Sequence, residues 1–145
     1  MNTAIITGAS AGIGASAAAL FSQRNFKVIN LSRRPCDVEG VLNLCGDIAS
    51  KKTLDNILPS VSKAVNQSKA VSLVHNAAKI RKDSVIDCSD SELREMLEIN
   101  VVAINSLNRR LIPLMPTGSS VLYVGSTLSM KAVPNSFSYI LSKHA

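Results

Sequence analysis

The sequence predicts an α/β fold: a doubly wound parallel sheet with helices on both faces. Three observations carry this. Short strands read as continuous apolar runs, helical signals fill the segments between them, and a glycine-rich turn joins the first strand to the first helix. The chain has 145 residues, 46% hydrophobic and 18% charged. A single domain of this size buries roughly 68–70% of its unfolded surface. Such a composition excludes global disorder.

Thr3–Thr7 is an apolar strand and Ala15–Arg24 an Ala-rich helix. Lys27–Ser32 carries Val28, Ile29 and Leu31 as a second strand, and Val41–Cys45 is the third. A helix spans about Ser50–Asn66 and a strand Ala70–His75. Ser89-Asp90-Ser91-Glu92 has the pattern of a capping box, opening a long helix from Asp90 to Ile112 that Pro113 and Pro116 close. Ser119–Val124 is a fifth strand and Asn135–Ala145 begins a last helix. That helix has neither cap nor stop signal, and the fifth strand would be an open edge, so residues 1–145 are expected to be a single partial domain, part of a longer protein or a truncated product of one.

No apolar run approaches the roughly 18 residues of a membrane span. The start lacks a basic region, and Gly8 interrupts its apolar run, unlike a secretory leader. Cys36, Cys45 and Cys88 have no metal-ligand spacing, which reads as free thiols in a reducing, cytoplasmic compartment. The net charge is +6, and all ten acids lie between Asp37 and Glu98. The basic residues form no run and the aromatics are too few for base stacking, which disfavours nucleic acid; a small anionic ligand is the better expectation.

Thr7-Gly8-Ala9-Ser10-Ala11-Gly12-Ile13-Gly14 supplies the pocket for one. Gly8 permits a tight turn, Gly12 lets the backbone approach a pyrophosphate, and Gly14 lets helix and strand pack closely. The helix N-terminus would then face the phosphates. No Lys-Ser/Thr ending follows, so this is not a nucleoside-triphosphate loop.

Dinucleotide folds usually place an acid after strand two to hold the ribose 2′-hydroxyl. Here Arg33 and Arg34 follow Leu31-Ser32. Two guanidiniums suit a 2′-phosphate and favour NADP(H) over NAD(H), although solvated loop charges would have the same sequence. Ser10 can add a hydroxyl contact. Asp47 after strand three reads equally as an acceptor for the adenine amino group or as a helix cap before Ser50. His75 ends strand four and reads as structural; the small residues of Asn76-Ala77-Ala78 let the backbone pass close to a ligand.

Tyr139 and Lys143 are four apart on the last helix and share a face. A free tyrosine has a pKa of about 10. A neighbouring cation favours the phenolate and makes the phenol a usable acid or base.

Taken together, Thr7–Gly14, Asp47, Asn76-Ala77, Asn100, Ser126, Tyr139 and Lys143 stand in the order and approximate spacing of the short-chain dehydrogenase/reductase family. The chain resembles its compact single-domain branch over essentially its whole length. The resemblance implies a Rossmann-like sheet of order 3-2-1-4-5, lacking the last strands of the full family fold, and an NADP-dependent oxidoreductase acting on a carbonyl or alcohol substrate. It implies that Tyr139 is the acid/base, Lys143 lowers its pKa and holds the nicotinamide ribose, Ser126 holds the substrate oxygen, and Asn100 supports a water in the proton relay. Cofactor contacts are implied for Gly8, Ser10, Gly12, Ile13, Gly14, Arg33, Arg34, Asp47, Ile48, Asn76, Ala77, Ala78, Tyr139 and Lys143. A homodimer or homotetramer is expected, with no membrane or nucleic-acid partner. The chain departs from the family at His75 and Ala78, where Asn and Gly are common, and at Gly125, where a second serine is frequent. The alternative is a catalytically inactive or truncated NADP(H)-binding protein.

Overall fold

The computed structural model describes residues 1–145. Strands β1 (Thr3–Thr7), β2 (Lys27–Ser32), β3 (Leu42–Cys45), β4 (Val71–His75) and β5 (Ser120–Tyr123) form one parallel sheet in the order β3-β2-β1-β4-β5. This is the Rossmann-like order expected. Every residue of β1 is buried, because a central parallel strand is covered on both faces. One face packs Ile5, Ile29, Leu31 and Leu73 against helices α2 (Lys51–Asn66) and α4 (Ala103–Leu111) through Leu54, Leu58, Val61, Leu107 and Leu111. The other packs Ala4, Ile6, Val28 and Val74 against Ala18 of α1 (Gly12–Gln23). Each fully buried Ile or Leu contributes roughly 1.5–3 kcal/mol. The strand order reverses between β1 and β4, so the crevice for a ligand lies at their carboxyl ends.

The long helix starts as expected. Ser89 accepts from the Glu92 N–H, and the Glu92 carboxylate accepts from the Ser89 N–H. It is not one regular helix, however. It runs as α3 (Asp90–Leu97), a π turn over Glu98–Val102, and α4. The extra residue of a π turn re-aims side chains, and such turns gather at functional sites. Here the turn is centred on Asn100, which is buried. Its Oδ1 accepts from the Lys79 N–H at 2.7 Å, and its Nδ2 donates to the Lys79 carbonyl at 3.0 Å and to Ser142 Oγ at 2.9 Å.

Helix α5 (Phe137–His144) has two turns, and its own N-cap, Ser136, provides no side-chain acceptor. Asp83, 55 residues earlier, takes that role. Its Oδ1 accepts from the Ser138 N–H at 3.0 Å, its Oδ2 from the Ser138 hydroxyl, and its carbonyl from the Phe137 N–H at 3.2 Å. A carboxylate here satisfies orphan donors and complements the helix dipole. At the end of β4, His75 stacks on Tyr123 with ring centroids 5.1 Å apart. His75 Nε2 lies 2.8 Å from Asn108 Oδ1, and Asn108 Nδ2 donates to the Tyr123 hydroxyl. An amide oxygen only accepts, so Nε2 carries the proton; Nδ1 is buried without a partner, as suits a neutral ring.

Both groups make the fold acid-sensitive. Burial outweighs the Asn108 bond and lowers the His75 pKa from 6.5. The neutral ring therefore stabilises the fold above pH 6.5, and that stability is lost as pH falls toward the folded value. For Asp83, burial alone would raise the pKa, but the Ser138 hydroxyl and amide, the Cys88 thiol and the Arg81 charge outweigh it and hold it below 3.8. Its contribution is present above pH 3.8 and lost as pH falls through the lower folded value. Urea denaturation from pH 8 to pH 3 should show His75→Gln flattening the upper part of the acid limb. Asp83→Asn should flatten the lower part and cost about 1 kcal/mol at pH 7 as a weakened cap. Unchanged slopes in the variants would refute these assignments.

Candidate active site

The turn after β1 is fixed by its contact with the end of β4. The Thr7 hydroxyl accepts from the N–H groups of Asn76 and Ala77, each at 3.0 Å, and Asn76 Nδ2 donates to the carbonyls of Thr7 and Gly8. Gly8 has φ +73, and a Cβ there would lie 2.9 Å from Ala77 Cα. A Cβ on Gly14 would lie 2.3 Å from the Gly8 carbonyl oxygen and 2.5 Å from Asn76 Nδ2. Both positions therefore exclude any side chain. Gly12 differs: it faces open space, with the exposed Ile13 beside it. Helix α1 begins at Gly12 rather than Ala15, so Gly12, Ile13 and Gly14 form its first turn. Ala11 supplies no side-chain cap and the first turn holds no acid, which leaves backbone donors and the positive helix end facing the open space.

A cleft of about 300 Å³ opens at the carboxyl ends of β1 to β4. It gathers Gly8 and Ser10 from the first turn, Arg33 and Arg34 after β2, Asp47 and Ile48 after β3, and Asn76, Ala77 and Ala78 after β4. Arg33 and Arg34 are exposed, and neither is among the ion pairs, which join Lys79 to Glu95, Arg81 to Glu92 and Arg110 to Asp55. Asp47 is the cleft's one acidic residue. It does not cap α2: Ser50 does so, accepting from the Thr53 N–H, while Asp47 Oδ1 accepts from the Ala49 N–H in a local turn. Ala11, Leu31, Ser32, Gly46, Lys79 and Ile99 also line the cleft. They flank the motif positions, and only that adjacency marks them in the sequence. The glycine-lined space at the α1 N-terminus and the two unpaired guanidiniums fit a diphosphate bearing a further phosphate.

Gly12, Ile13 and Gly14, in the first turn of α1, lie outside the cleft lining, as do the remaining predicted residues, which stand around α5. Ser126 follows β5 and begins a short 3₁₀ turn, Thr127–Ser129. Its Oγ accepts from the Leu128 N–H at 3.1 Å, which leaves its own proton free to donate. Tyr139 is buried, yet its hydroxyl makes no hydrogen bond within the chain and keeps contact with solvent. Lys143 Nζ sits over the Tyr139 ring, 5.7 Å from its centroid, and donates to the Val124 carbonyl at 3.4 Å. The sequence spacing thus yields a cation over the ring face, worth about 0.5–1 kcal/mol. Burial lowers the Lys143 pKa from 10.5. Asn100 adjoins Ile99 of the cleft wall, clamps the Lys79 backbone and reaches Ser142 of α5, so it joins the cleft to the Tyr139 helix. The arrangement offers a hydroxyl donor, a solvent-reaching phenol and an ammonium on two adjoining segments.

The sequence profile of the short chain dehydrogenase family matches residues 2–145. Dehydrogenase/reductase SDR family member 11 of Bos taurus is 30% identical over 117 residues, covering 73% of this chain and 46% of that protein. Dehydrogenase/reductase SDR family member 7 of Homo sapiens is 29% identical over 157 residues, covering 97% and 46%. The chain thus spans about half the length of these relatives. The crystal structure of a short chain dehydrogenase family protein from Francisella tularensis is 28% identical, with a TM-score of 0.87 over 99% of this chain and 58% of that one. Profile, relatives and fold agree, and the chain belongs to the short-chain dehydrogenase family.

Proposed function

We propose that the chain belongs to an NADP-dependent reductase or dehydrogenase that interconverts a small-molecule carbonyl and its alcohol. The observation carrying this reading is the position of Lys143, which spans the Tyr139 ring and the Val124 carbonyl two residues before Ser126. It ties the phenol on α5 to the hydroxyl after β5. The first-turn backbone, with Gly8, Ser10, Gly12, Ile13 and Gly14, would hold the diphosphate, and Arg33 and Arg34 the 2′-phosphate. Asp47 and Ile48 would meet the adenine, and Asn76, Ala77 and Ala78 the middle of the cofactor. The nicotinamide, when bound, supplies or takes up the hydride.

In the reducing direction, the Ser126 hydroxyl donates to the carbonyl oxygen and orients it. Tyr139 donates its proton to that oxygen as negative charge develops there, completing the alcohol. The Lys143 ammonium stabilises the phenolate left behind. Asn100 fixes the Lys79 carbonyl as an acceptor for a water that returns a proton from solvent. The reverse sequence oxidises the alcohol. Three free thiols, Cys36, Cys45 and Cys88, agree with a reducing compartment. Val102 of the π turn and Leu141 of α5 are exposed apolar side chains that a homodimer or homotetramer would cover.

Tyr139→Phe should bind NADPH within about twofold of wild type and lose roughly 100- to 10,000-fold in carbonyl reduction, followed as NADPH consumption over a panel of aldehydes and ketones. Retained turnover would remove Tyr139 from the chemistry. NADPH binding without consumption in the wild type would favour an inactive cofactor-binding protein.

Replacing Arg33 and Arg34 together by Ser should weaken NADPH roughly 10- to 100-fold and NADH far less, by fluorescence titration, because each guanidinium makes a charge-assisted bond only to the extra phosphate. Equal losses for the two cofactors would contradict the 2′-phosphate reading.

A further inference from the structure

Two bonded amides outside the cleft lining, Asn30 buried and Asn43 half-buried, link the first turn to the arginine turn. Asn30 interrupts the otherwise apolar run of β2 and is fully buried. Its Oδ1 accepts from the Ala9 N–H at 3.0 Å, inside the glycine-rich turn. Its Nδ2 donates to the Arg34 carbonyl at 3.1 Å and to Asn43 Oδ1 at 2.8 Å. Asn43 lies directly opposite on β3. Its Oδ1 also accepts from the Cys36 N–H at 2.7 Å, and its Nδ2 donates to the Cys36 carbonyl at 3.1 Å. Arg33 and Arg34 project from the segment held at Arg34 and Cys36. A buried amide that satisfies every polar atom in this way is costly to replace and specifies one geometry.

We propose that Asn30 and Asn43 are positioning residues that set the cleft's preference for a 2′-phosphorylated adenosine. They do so by fixing the Arg33-Arg34 segment against the phosphate-binding turn. The proposal rests on the reading of Arg33 and Arg34 as 2′-phosphate ligands. The two amides touch different things. Asn30 holds both the turn that meets any 5′-phosphate and the segment that meets the 2′-phosphate. Asn43 holds the arginine segment and Asn30, without contacting the turn. Removing Asn43 should therefore affect discrimination alone, and removing Asn30 should affect discrimination and general nucleotide affinity together. Loss of alignment of a charge-assisted pair corresponds to about a tenfold change in affinity.

The test uses the whole chain with 2′,5′-ADP and 5′-AMP as probes in calorimetric titrations, which need no turnover. Wild type should prefer 2′,5′-ADP. Asn43→Ala should lower that preference about tenfold while changing 5′-AMP affinity less than twofold. Asn30→Leu should lower the preference similarly and weaken 5′-AMP as well. A wild-type preference retained in full by both variants overturns the proposal and leaves the 2′-phosphate reading standing. A wild type that binds the two probes equally removes that reading, and the proposal with it. Should Asn30→Leu fail to fold, Asn43→Ala decides alone: a lowered preference supports the proposal and an unchanged one overturns it.

Discussion

The tight contact between the turn after β1 and the end of β4 constrains everything built around it. Gly8 and Gly14 leave no room for a Cβ, and the Thr7 hydroxyl collects the N–H groups of Asn76 and Ala77. This contact sits where the strand order reverses. With β1 and β4 pinned there, the four strand ends can only open toward one crevice, and α1 must begin at that crevice with its backbone donors free. A larger residue at Gly14 would push α1 off the sheet and close the space that Gly12 leaves open.

From the same contact a single segment carries order outward. Asn76 is bonded to Thr7 and Gly8; Lys79 is clamped by Asn100 of the π turn; Asp83 caps α5. Residues 76–83 thus connect the cleft wall to the helix bearing Tyr139 and Lys143. The π turn has a physical reason in this setting. Asn100 must point inward between two helical stretches to reach both the Lys79 backbone and Ser142, and one added residue per turn achieves that without ending the helix. On the opposite side of the sheet, Asn30 and Asn43 do comparable work for the arginine segment.

Local signals made much of this legible in the sequence. The apolar runs, the Ser89–Glu92 capping box and the glycine spacing each concern neighbours along the chain, and strands, cap and tight turn form there. The four-residue step from Tyr139 to Lys143 puts the two on one face, with the ammonium over the ring rather than at the hydroxyl. Contacts between distant residues were not legible. No local pattern says that Asp83 caps a helix 55 residues later, or that Asn100 sits in a π turn and holds Lys79. Asn30 did leave a trace, as a polar residue inside an apolar strand, but its partners at Ala9, Arg34 and Asn43 depend on strand register. Asp47 illustrates an ambiguity that sequence could not resolve: Ser50 proved to be the cap of α2, and Asp47 lies in the cleft.

Amide NMR of the labelled chain titrated with NADPH tests most directly whether this crevice is a nicotinamide dinucleotide site. Saturable shifts should concentrate at residues 8–14, 33–34, 47–48 and 76–79, with smaller changes reaching α5 through Lys79 and Asp83. Absence of saturable shifts, or shifts gathered on a face away from the strand ends, would contradict it.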